Sequence, residues 1–377
     1  MKALILTCST GGGHNACAEA LRDTFSGHRE DCHIASALDF VSKNLCAFLT
    51  WGHTTMYRYF PGLFRWGYRH AETHPELLRD DAFLYRLLTN GTGALSKLLA
   101  EGQYNTVICT HIFAGLLLRR TLREYPMDIR TGFVSTDYTC SPGAVNAAPD
   151  LCFLPAASLI PEFKRHGFPK ETLRVSGMPV REAFYHVPDK IAAKTELGIS
   201  PGDTHLLIMC GSMGCGPLKK LTKKLVQNTG SGCRITVVCG TNKGLRRALE
   251  KRCRSDPRIN ILGYVSDIPK WMDSADLLLT KPGGLSVSEA AAKGLPMVLM
   301  DTVGGCEEYN LRYFTLLGGA VTAETPEELA QLCVRLLDQP EKRKRMETAL
   351  RSRYRGNAGK TIWTAFEKEH HSEKIRI

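Results

Sequence analysis

The stretch from Leu277 to Met300 combines residue types that can bind a nucleotide. It reads as a strand, a glycine-containing loop, a short helix and a second strand. Pro282, Gly283 and Gly284 end an apolar run, and glycine lets the backbone approach a ligand closely. A helix that begins near Leu285 leaves amides of its first turn without helical partners, and such amides favour a phosphate. This stretch therefore predicts an anion site.

Glu289 follows that loop and indicates which chemical group of the ligand lies beside the phosphate. A carboxylate repels a phosphate, whereas it accepts hydrogen bonds from a neutral diol such as a ribose, so the combination is typical of a nucleotide. A structural interpretation stays open beside it. Ser286 and Glu289 also have the S-x-x-E spacing of a capping box, which stabilises a helix N-terminus without any ligand.

A second strand followed by glycines and a helix stands near the start of the chain. Leu4–Thr7 leads into three glycines and then His14, with neither the dinucleotide-binding spacing nor the P-loop spacing. The positive end of a helix dipole favours a neutral histidine, which is the state that a general base needs. The alternative is a helix-terminal histidine that only hydrogen-bonds locally.

Other polar or glycine-rich positions follow predicted strands. His111 and Asp137 each stand at a strand end, where such residues also serve as turn formers. Gly211, Ser212 and Gly214 follow a strand and precede a lysine-rich helix, so their amides can hold a diphosphate. A glycine turn required only for packing is the alternative for this loop.

The elements that must position these residues alternate along the chain. Short apolar strand segments are separated by helical stretches, a pattern that predicts two doubly wound parallel sheets of an α/β protein. With 377 residues, the chain is long for one domain. We expect domains at residues 1–185 and 186–355, and a C-terminal helix at 356–377 that packs back on the first. Ligands should bind between the domains, at the carboxyl ends of the strands.

Composition limits which binding partners and which cellular compartment we expect for the protein. The longest apolar runs are only strand-sized, and the fourteen cysteines include no C-x-x-C pair, which together favour a cytoplasmic protein with reduced thiols. A net charge of +11 favours an acidic partner. Because no zinc-finger spacing, RNP-like motif or basic heptad region is present, we expect no nucleic acid.

Two strings resemble a known family. TKPGGLSVSEAAAKGLPMVL, followed by Glu307, Glu308 and Asn310, and the earlier GGGHNACAEAL are similar to segments of the lipid glycosyltransferases that include monogalactosyldiacylglycerol synthase and the processive diacylglycerol glucosyltransferases. The peptidoglycan lipid-linked N-acetylglucosaminyltransferase is a more distant likeness. The resemblance implies a GT-B-like fold of two Rossmann-like domains with an interdomain cleft.

The resemblance also implies roles for individual residues. On the acceptor side, His14 would be the base, with Asp137 orienting or charge-stabilising it, and Gly12, Gly13 and His111 would lie near the acceptor. The donor-binding residues would be Gly211, Ser212, Gly214, Gly263, Tyr264, Val265, Pro282, Gly283, Gly284, Leu285, Ser286, Glu289, Glu307 and Asn310. Gly263–Val265 would contact the nucleotide base. The chain departs from the family at Cys306, where relatives usually carry glutamine. It also departs at Cys140–Gly143, where many relatives carry a histidine and a tryptophan.

The expected reaction is an inverting, metal-independent transfer of a hexose from a UDP-hexose to a lipid, diacylglycerol or a glycosyldiacylglycerol. With no D-x-D motif, we expect no metal and no cofactor, so amides and a helix dipole must stabilise the leaving group. In relatives this glutamine is taken to contact the sugar hydroxyls. Because Cys306 replaces it here, the resemblance does not determine which sugar is transferred. A UDP-sugar epimerase on the same fold and a non-catalytic nucleotide-binding regulator are the alternatives.

A segment without acidic residues, Phe40–Ala71, is the predicted membrane contact. Its aromatic side chains, among them Trp51, Phe60 and Trp66, are interleaved with lysine and arginine, as suits the headgroup layer of an anionic membrane. The alternative is a buried helix pair. On the first interpretation the protein is cytoplasmic and peripherally associated with the inner face of the cell membrane.

Overall fold

The computed structural model describes residues 1–8, 12–41, 60–80, 82–186, 188–214, 216–300, 304–354 and 356–374. These residues form twelve strands. The strands are β1 Lys2–Thr7, β2 Asp31–Ser36, β3 Thr106–Cys109, β4 Arg130–Val134, β5 Leu151–Leu154, β6 Leu173–Val175, β7 Thr204–Met209, β8 Cys233–Val238, β9 Ile259–Leu262, β10 Leu277–Thr280, β11 Met297–Leu299 and β12 Ala320–Thr322. Ala37–Phe40 forms a 3₁₀ turn that Ser36 caps.

The same residues form fifteen α-helices. They are α1 Gly12–Gly27, α2 Pro61–Thr73, α3 Phe83–Leu88, α4 Thr92–Glu101, α5 Ile112–Glu124, α6 Ile160–Arg165, α7 Lys190–Glu196, α8 Leu218–Asn228, α9 Lys243–Cys253, α10 Ile268–Ser274, α11 Gly284–Lys293, α12 Cys306–Leu316, α13 Pro326–Leu337, α14 Pro340–Arg353 and α15 Ala358–Lys374. Further short 3₁₀ turns lie at Pro75–Leu78, Ala144–Ala147, Ala157–Leu159, Lys170–Thr172 and Glu182–Phe184.

The chain divides into two compact units. The first contains Met1–Glu182, Val303–Cys306 and Gly356–Ile377, and the second contains Ala183–Thr302 and Glu307–Arg355. Within the first unit α15 packs beside α1, where the rings of His28 and Trp363 stack with their centroids 3.7 Å apart. Phe366 of the same helix is fully buried and lies against Phe153 of β5.

The sheet of the first unit is parallel, with strand order β2-β1-β3-β4-β5-β6. From β1 the chain crosses to one side to make β2 and later returns to the other side to make β3. Loops that follow β1 and β3 therefore leave the sheet in opposite directions, which opens a crevice at the carboxyl ends of these strands. In register, Ala3 of β1 lies opposite Thr106 of β3.

The second unit repeats this design, with order β12-β11-β10-β7-β8-β9 in a parallel sheet. Here the chain runs outward from β7 through β8 and β9, and then continues on the other side from β10. The switch point lies between β7 and β10, where Leu206 is opposite Leu277. The prediction of two doubly wound, Rossmann-like sheets is confirmed.

Both sheets are covered on two faces, which explains the composition of their strands. In β1 and β7 every residue after the first is buried. A strand with helices on both sides has no solvent face, so its sequence is a continuous apolar run without alternation. Such runs are what made the strands recognisable in the sequence.

Candidate active site

In the first unit, His14 lies in the first turn of α1, directly after the loop that follows β1. Its Nδ1 atom is 2.9 Å from the carbonyl oxygen of Thr110 and 3.1 Å from the hydroxyl of Thr136. A carbonyl oxygen can only accept, so Nδ1 carries the proton and donates it to Thr110. In the neutral ring the basic lone pair is therefore on Nε2.

The strand order explains why these groups meet. Thr110 follows β3 and Thr136 follows β4 by one residue, and β1, β3 and β4 are consecutive in the sheet. The hydroxyl of Thr110 donates to the carbonyl of His14 at 3.3 Å, and the hydroxyl of Thr7 donates to the amide oxygen of Asn15 at 3.2 Å. The first turn of α1 is thus fixed at the switch point of the sheet, where doubly wound proteins bind ligands.

His111 lies beside His14 and has the opposite tautomer. As the N-cap of α5, its Nδ1 accepts the amide proton of Phe113 at 3.1 Å, so its neutral ring carries the proton on Nε2. The two imidazole rings meet edge to face, with centroids 4.6 Å apart. The first unit therefore brings together one histidine with a basic Nε2 and another with a donating Nε2.

Asp137 is half-buried in the loop after β4. Thr110 and Thr136 both contact Nδ1 of His14, and these two threonines orient the ring. The role of Asp137 toward His14 stays a prediction. The following residues are anchored by Glu162, whose Oε1 accepts the hydroxyl of Thr139 at 2.6 Å and the amide of Cys140 at 2.7 Å.

In the second unit, the backbone of the loop after β7 adopts a left-handed conformation at two glycines. Gly211 and Gly214 have φ values of +66° and +56°, and a Cβ on Gly214 would lie 2.2 Å from the carbonyl oxygen of Cys239. The carbonyl of Ser212 accepts the amide of Thr241 at 2.8 Å. This loop is therefore held against the loop that follows the neighbouring strand β8, with Ser212 exposed.

The loop after β10 lies on the other side of the same switch point. The amide of Gly283 donates to the carbonyl of Lys281 at 2.9 Å, and α11 begins at the next residue. Pro282 and Gly284 are buried, whereas Leu285 and Ser286 are half-buried in the first turn.

The capping-box alternative for this helix is wrong. Gly283 is the N-cap of α11 and no side chain caps it, so Ser286 and Glu289 both lie inside the helix. The S-x-x-E spacing alone did not indicate where the helix begins. Glu289 is 8% exposed, and its role toward a ribose stays a prediction.

Glu307 and Asn310, both on α12, contact the loop after β10. The Oε1 atom of Glu307 is 2.7 Å from Nζ of Lys281, and the two side chains are 7% and 15% exposed. Asn310 is fully buried, and its amide donates to the carbonyl of Pro282 at 3.0 Å. In this structure both residues support the glycine loop.

Gly263, Tyr264 and Val265 follow β9 at the edge of the second sheet. The side chain of Tyr264 is 70% exposed, so its ring is accessible for stacking. A Cβ on Gly263 would lie 3.0 Å from a guanidinium nitrogen of Arg246. The predicted contact of this segment with a nucleotide base stays a prediction.

The remaining predicted residues that the structure describes are on the surface of the first unit. Gly12 and Gly13 are exposed in the first turn of α1, and Phe60 and Trp66 are exposed at and within α2. Trp51 lies outside the described residues. Across the described ranges, every helix is too short or too polar to span a bilayer. The described residues also bring together no cluster of three His, Cys, Asp or Glu side chains suited to a metal ion.

Three residues of these sites have functional contacts that we did not predict from the sequence. Thr110 and Thr136 orient His14, and Lys281 pairs with Glu307. The sequence could have indicated Lys281, because it stands at a strand end within TKPGG. The Thr110 contact uses a backbone carbonyl, which leaves no trace in the residue types.

Two protein-family models match the chain. Residues 14–180 match the model for monogalactosyldiacylglycerol (MGDG) synthase, and residues 213–353 match that for glycosyl transferases group 1. The processive diacylglycerol beta-glucosyltransferase of Staphylococcus saprophyticus is 26% identical over 347 residues, which are 90% of this chain and 86% of that protein. The chain is a glycosyltransferase of the GT-B fold, related to monogalactosyldiacylglycerol synthase.

Solved structures agree with this glycosyltransferase at the level of the fold. MurG from Acinetobacter baumannii has a TM-score of 0.65 at 14% identity, covering 98% of this chain and all of that one. UDP-GlcNAc 2-epimerase from Neisseria meningitidis, bound to UDP-GlcNAc, has a TM-score of 0.66 at 13% identity, with the same coverage. At these identities the likeness establishes the architecture alone, and it carries no epimerase chemistry to this chain.

Proposed function

We propose that this glycosyltransferase moves a hexose from a UDP-sugar to the hydroxyl of a lipid, diacylglycerol or a glycosyldiacylglycerol, with inversion at the anomeric carbon. The observation that carries the proposal is the orientation of His14, whose Nδ1 donates to Thr110 so that Nε2 is the basic nitrogen. This histidine is also the first residue of the segment that matches the MGDG synthase model. The name of the staphylococcal relative supports diacylglycerol as the acceptor.

In the proposed reaction, Nε2 of His14 accepts the proton of the acceptor hydroxyl as its oxygen attacks the anomeric carbon. His14 then becomes doubly protonated, and the carbonyl of Thr110 and the hydroxyl of Thr136 stabilise the Nδ1 proton of the resulting cation. A positioned base of this kind contributes about 10²- to 10⁴-fold to the rate. His111, one ring away, supplies a donor that suits the acceptor oxygen.

The second unit is proposed to bind the donor. Amides of the loop after β7 and of the first turn of α11 would face the diphosphate, because both loops flank the switch point of the sheet. Glu289 would accept hydrogen bonds from the ribose hydroxyls. The exposed ring of Tyr264 would stack on the base.

We propose that the reaction needs no metal and no other cofactor. UDP leaves with its charge stabilised by backbone amides and the positive end of the α11 dipole, which require no divalent cation. EDTA should therefore leave the rate unchanged. A rate that collapses in EDTA and returns with magnesium or manganese would contradict this part of the proposal.

A lipid acceptor requires contact with a membrane, and we propose that α2 and the residue before it provide it. Phe60, Leu63 and Trp66 are 57%, 52% and 63% exposed, although apolar side chains of this size are usually buried. Arg69 is exposed on the same helix, and the net charge of the chain is +11. This surface suits an anionic membrane, and we propose a peripheral location at the cytoplasmic face of the cell membrane.

Product analysis tests the proposed function. The purified protein would be incubated with UDP-glucose, UDP-galactose or UDP-N-acetylglucosamine and with vesicles that contain diacylglycerol, and lipids would be analysed by mass spectrometry and proton NMR. We expect one donor to yield a lipid one sugar heavier, with the large anomeric coupling of a β-linkage from the α-configured donor. An α-linked product would contradict inversion. A donor epimerised without any acceptor would favour the epimerase alternative.

A further inference from the structure

Lys281 has a position that no part of the proposed donor site explains. It follows β10 directly, at the switch point of the second sheet, and its side chain runs between the two glycine loops. A Cβ on Gly211 would lie 2.9 Å from Cε of Lys281, and a Cβ on Gly283 would lie 3.7 Å from the same atom. Gly211 therefore leaves room that the lysine stem fills, and Gly283 lies at ordinary contact distance from the same stem.

The ammonium of Lys281 is held by a buried carboxylate. Nζ lies 2.7 Å from Oε1 of Glu307, and the two side chains are 15% and 7% exposed. Burial makes such a pair costly to desolvate, so it adds little net stability compared with apolar residues of the same size. A stabilising role alone is therefore a weak explanation for a buried ion pair at this place.

The charges around the loop give a better explanation. Glu289 on α11 and Glu307 on α12 are both buried carboxylates of this region, and each would repel a diphosphate. Amides can donate hydrogen bonds, but they carry no net charge to offset these two carboxylates. A lysine ammonium is a compact cation that suits phosphate oxygens.

We propose that Lys281 binds the diphosphate of the sugar nucleotide and that Glu307 positions its ammonium between the two glycine loops. This inference rests on the proposed function, because it assigns a residue to the same donor site. It predicts that Lys281 distinguishes UDP from uridine, which shares the base and the ribose but lacks phosphate. Glu307 then acts on the donor through Lys281.

The experiment must limit the destabilisation that follows when a buried charge loses its ionic partner. Glu307→Gln keeps Lys281 charged and can still accept a hydrogen bond through its amide oxygen. Lys281→Met/Glu307→Gln removes both charges with little change in volume. Comparison of these two variants isolates the contribution of Lys281 to UDP affinity. Lys344→Met, which removes an ammonium from an exposed pair with Glu347 on α14, controls for net charge.

Calorimetry would measure the affinities of the wild type and the three variants for UDP and for uridine, after thermal melts show that each is folded. We expect the double variant to bind UDP about ten- to a hundredfold more weakly than Glu307→Gln does, the range for a hydrogen bond to a charged group. Uridine affinity should be equal in both, and Lys344→Met should match the wild type for both ligands.

Two results would overturn the inference. If the double variant and Glu307→Gln bind UDP equally, Lys281 does not contact the diphosphate. If Lys344→Met loses as much UDP affinity as the double variant, the effect is one of net charge. A wild type that binds neither UDP nor any UDP-sugar is a different outcome, because it rejects the proposed donor itself and the inference with it.

Discussion

At the scale of the residue, His14 is defined by what its Nδ1 atom contacts. The carbonyl of Thr110 requires a proton on Nδ1, and this requirement fixes which nitrogen is basic. The hydroxyl of Thr136 adds a second contact to the same atom. The tautomer that the proposed mechanism needs is therefore set by the protein before any substrate binds.

Replacing His14 tests this assignment. His14→Ala should lower kcat by about 10²- to 10⁴-fold while UDP affinity stays unchanged, because the base acts on the acceptor proton and not on UDP. Thr136→Val is the matched control, since it removes one Nδ1 contact but keeps the Thr110 carbonyl, and its loss should be much smaller. Near-normal kcat in His14→Ala would instead make Asp137 the leading candidate for the base.

Glu289 gives a second prediction at this scale. Glu289→Gln should weaken UDP binding by about 1.5 to 3 kcal/mol, the range for hydrogen bonds to charged groups, if the carboxylate accepts from the ribose hydroxyls. Calorimetry with UDP and with its 2′,3′-dideoxyribose analogue, which lacks the ribose hydroxyls, separates contact with these hydroxyls from support of α11. The variant should lose affinity for UDP and should match the wild type for the analogue. Equal losses for both nucleotides would show that Glu289 acts only by supporting α11.

At the scale of the element, a buried histidine links β7 and β8 to α10 and to the residue before β10 in the second unit. His205 of β7 is fully buried, with Nδ1 2.9 Å from the hydroxyl of Ser274 and Nε2 2.9 Å from that of Thr236. Since Ser274 donates its own proton to the carbonyl of Trp271, it accepts from Nδ1, and Thr236 donates to Nε2. The backbone amide of His205 donates to Asp276, which also binds Lys194. A neutral His205 satisfies this network.

The stability of the second unit should therefore depend on pH. Burial lowers the pKa of His205 from 6.5 to about 4, although the nearby Asp276 opposes the shift. Between these values the unfolded chain binds a proton that the folded protein does not, so stability is complete above pH 6.5 and falls as the pH drops toward 4. The loss should reach about 2 to 3 kcal/mol, at about 1.4 kcal/mol for each pH unit.

Urea unfolding measures this loss. Trp271, whose ring centroid lies 6.2 Å from that of His205, reports on the second unit by fluorescence when the other three tryptophans are replaced by phenylalanine. His205→Gln should flatten the pH dependence between 4 and 6.5, whereas His166→Gln, at an exposed position, should leave it unchanged. A pH dependence that persists in His205→Gln would show that other groups cause it.

The sequence predicted the elements better than it predicted their contacts. Strands such as β7 were predictable because burial on both faces makes them continuous apolar runs between turn residues. The S-x-x-E spacing at Ser286 was misleading as a capping box because the helix starts two residues earlier, at Gly284, with Gly283 as its N-cap. Lys281 and Glu307 are 26 positions apart, so their pairing depends on the packing of α12 against the loop after β10.

At the scale of the whole molecule, a lipid acceptor requires that a protein with +11 net charge meets a membrane. The exposed side chains of Phe60, Leu63 and Trp66 concentrate apolar surface at the start of α2. The ring of Trp66 stacks on His70 with centroids 5.2 Å apart, which keeps it on this surface. Aromatic rings beside cations are typical of proteins that bind the headgroup layer.

Vesicle binding tests this surface. The protein should sediment with anionic vesicles, release partly as salt rises, and bind at least about tenfold more weakly when Phe60, Leu63 and Trp66 are changed to serine. The control is Tyr125→Ser/Val175→Ser, which changes exposed apolar residues elsewhere in the same unit. Equal loss in both variants would mean that general surface hydrophobicity is responsible, and no loss in either would exclude α2 as the membrane contact.

Glycosyl transfer to a lipid is the central claim, and the stoichiometry of UDP release tests it most directly. The protein would be incubated with the preferred UDP-sugar, with and without vesicles that contain diacylglycerol, and UDP and glycolipid would be quantified over time. We predict that UDP forms only when the lipid is present, that one glycosidic bond forms for each UDP released, and that His14→Ala forms both products about 10²- to 10⁴-fold more slowly. UDP release that is independent of lipid, or conversion of the donor sugar without any glycolipid, would contradict the account.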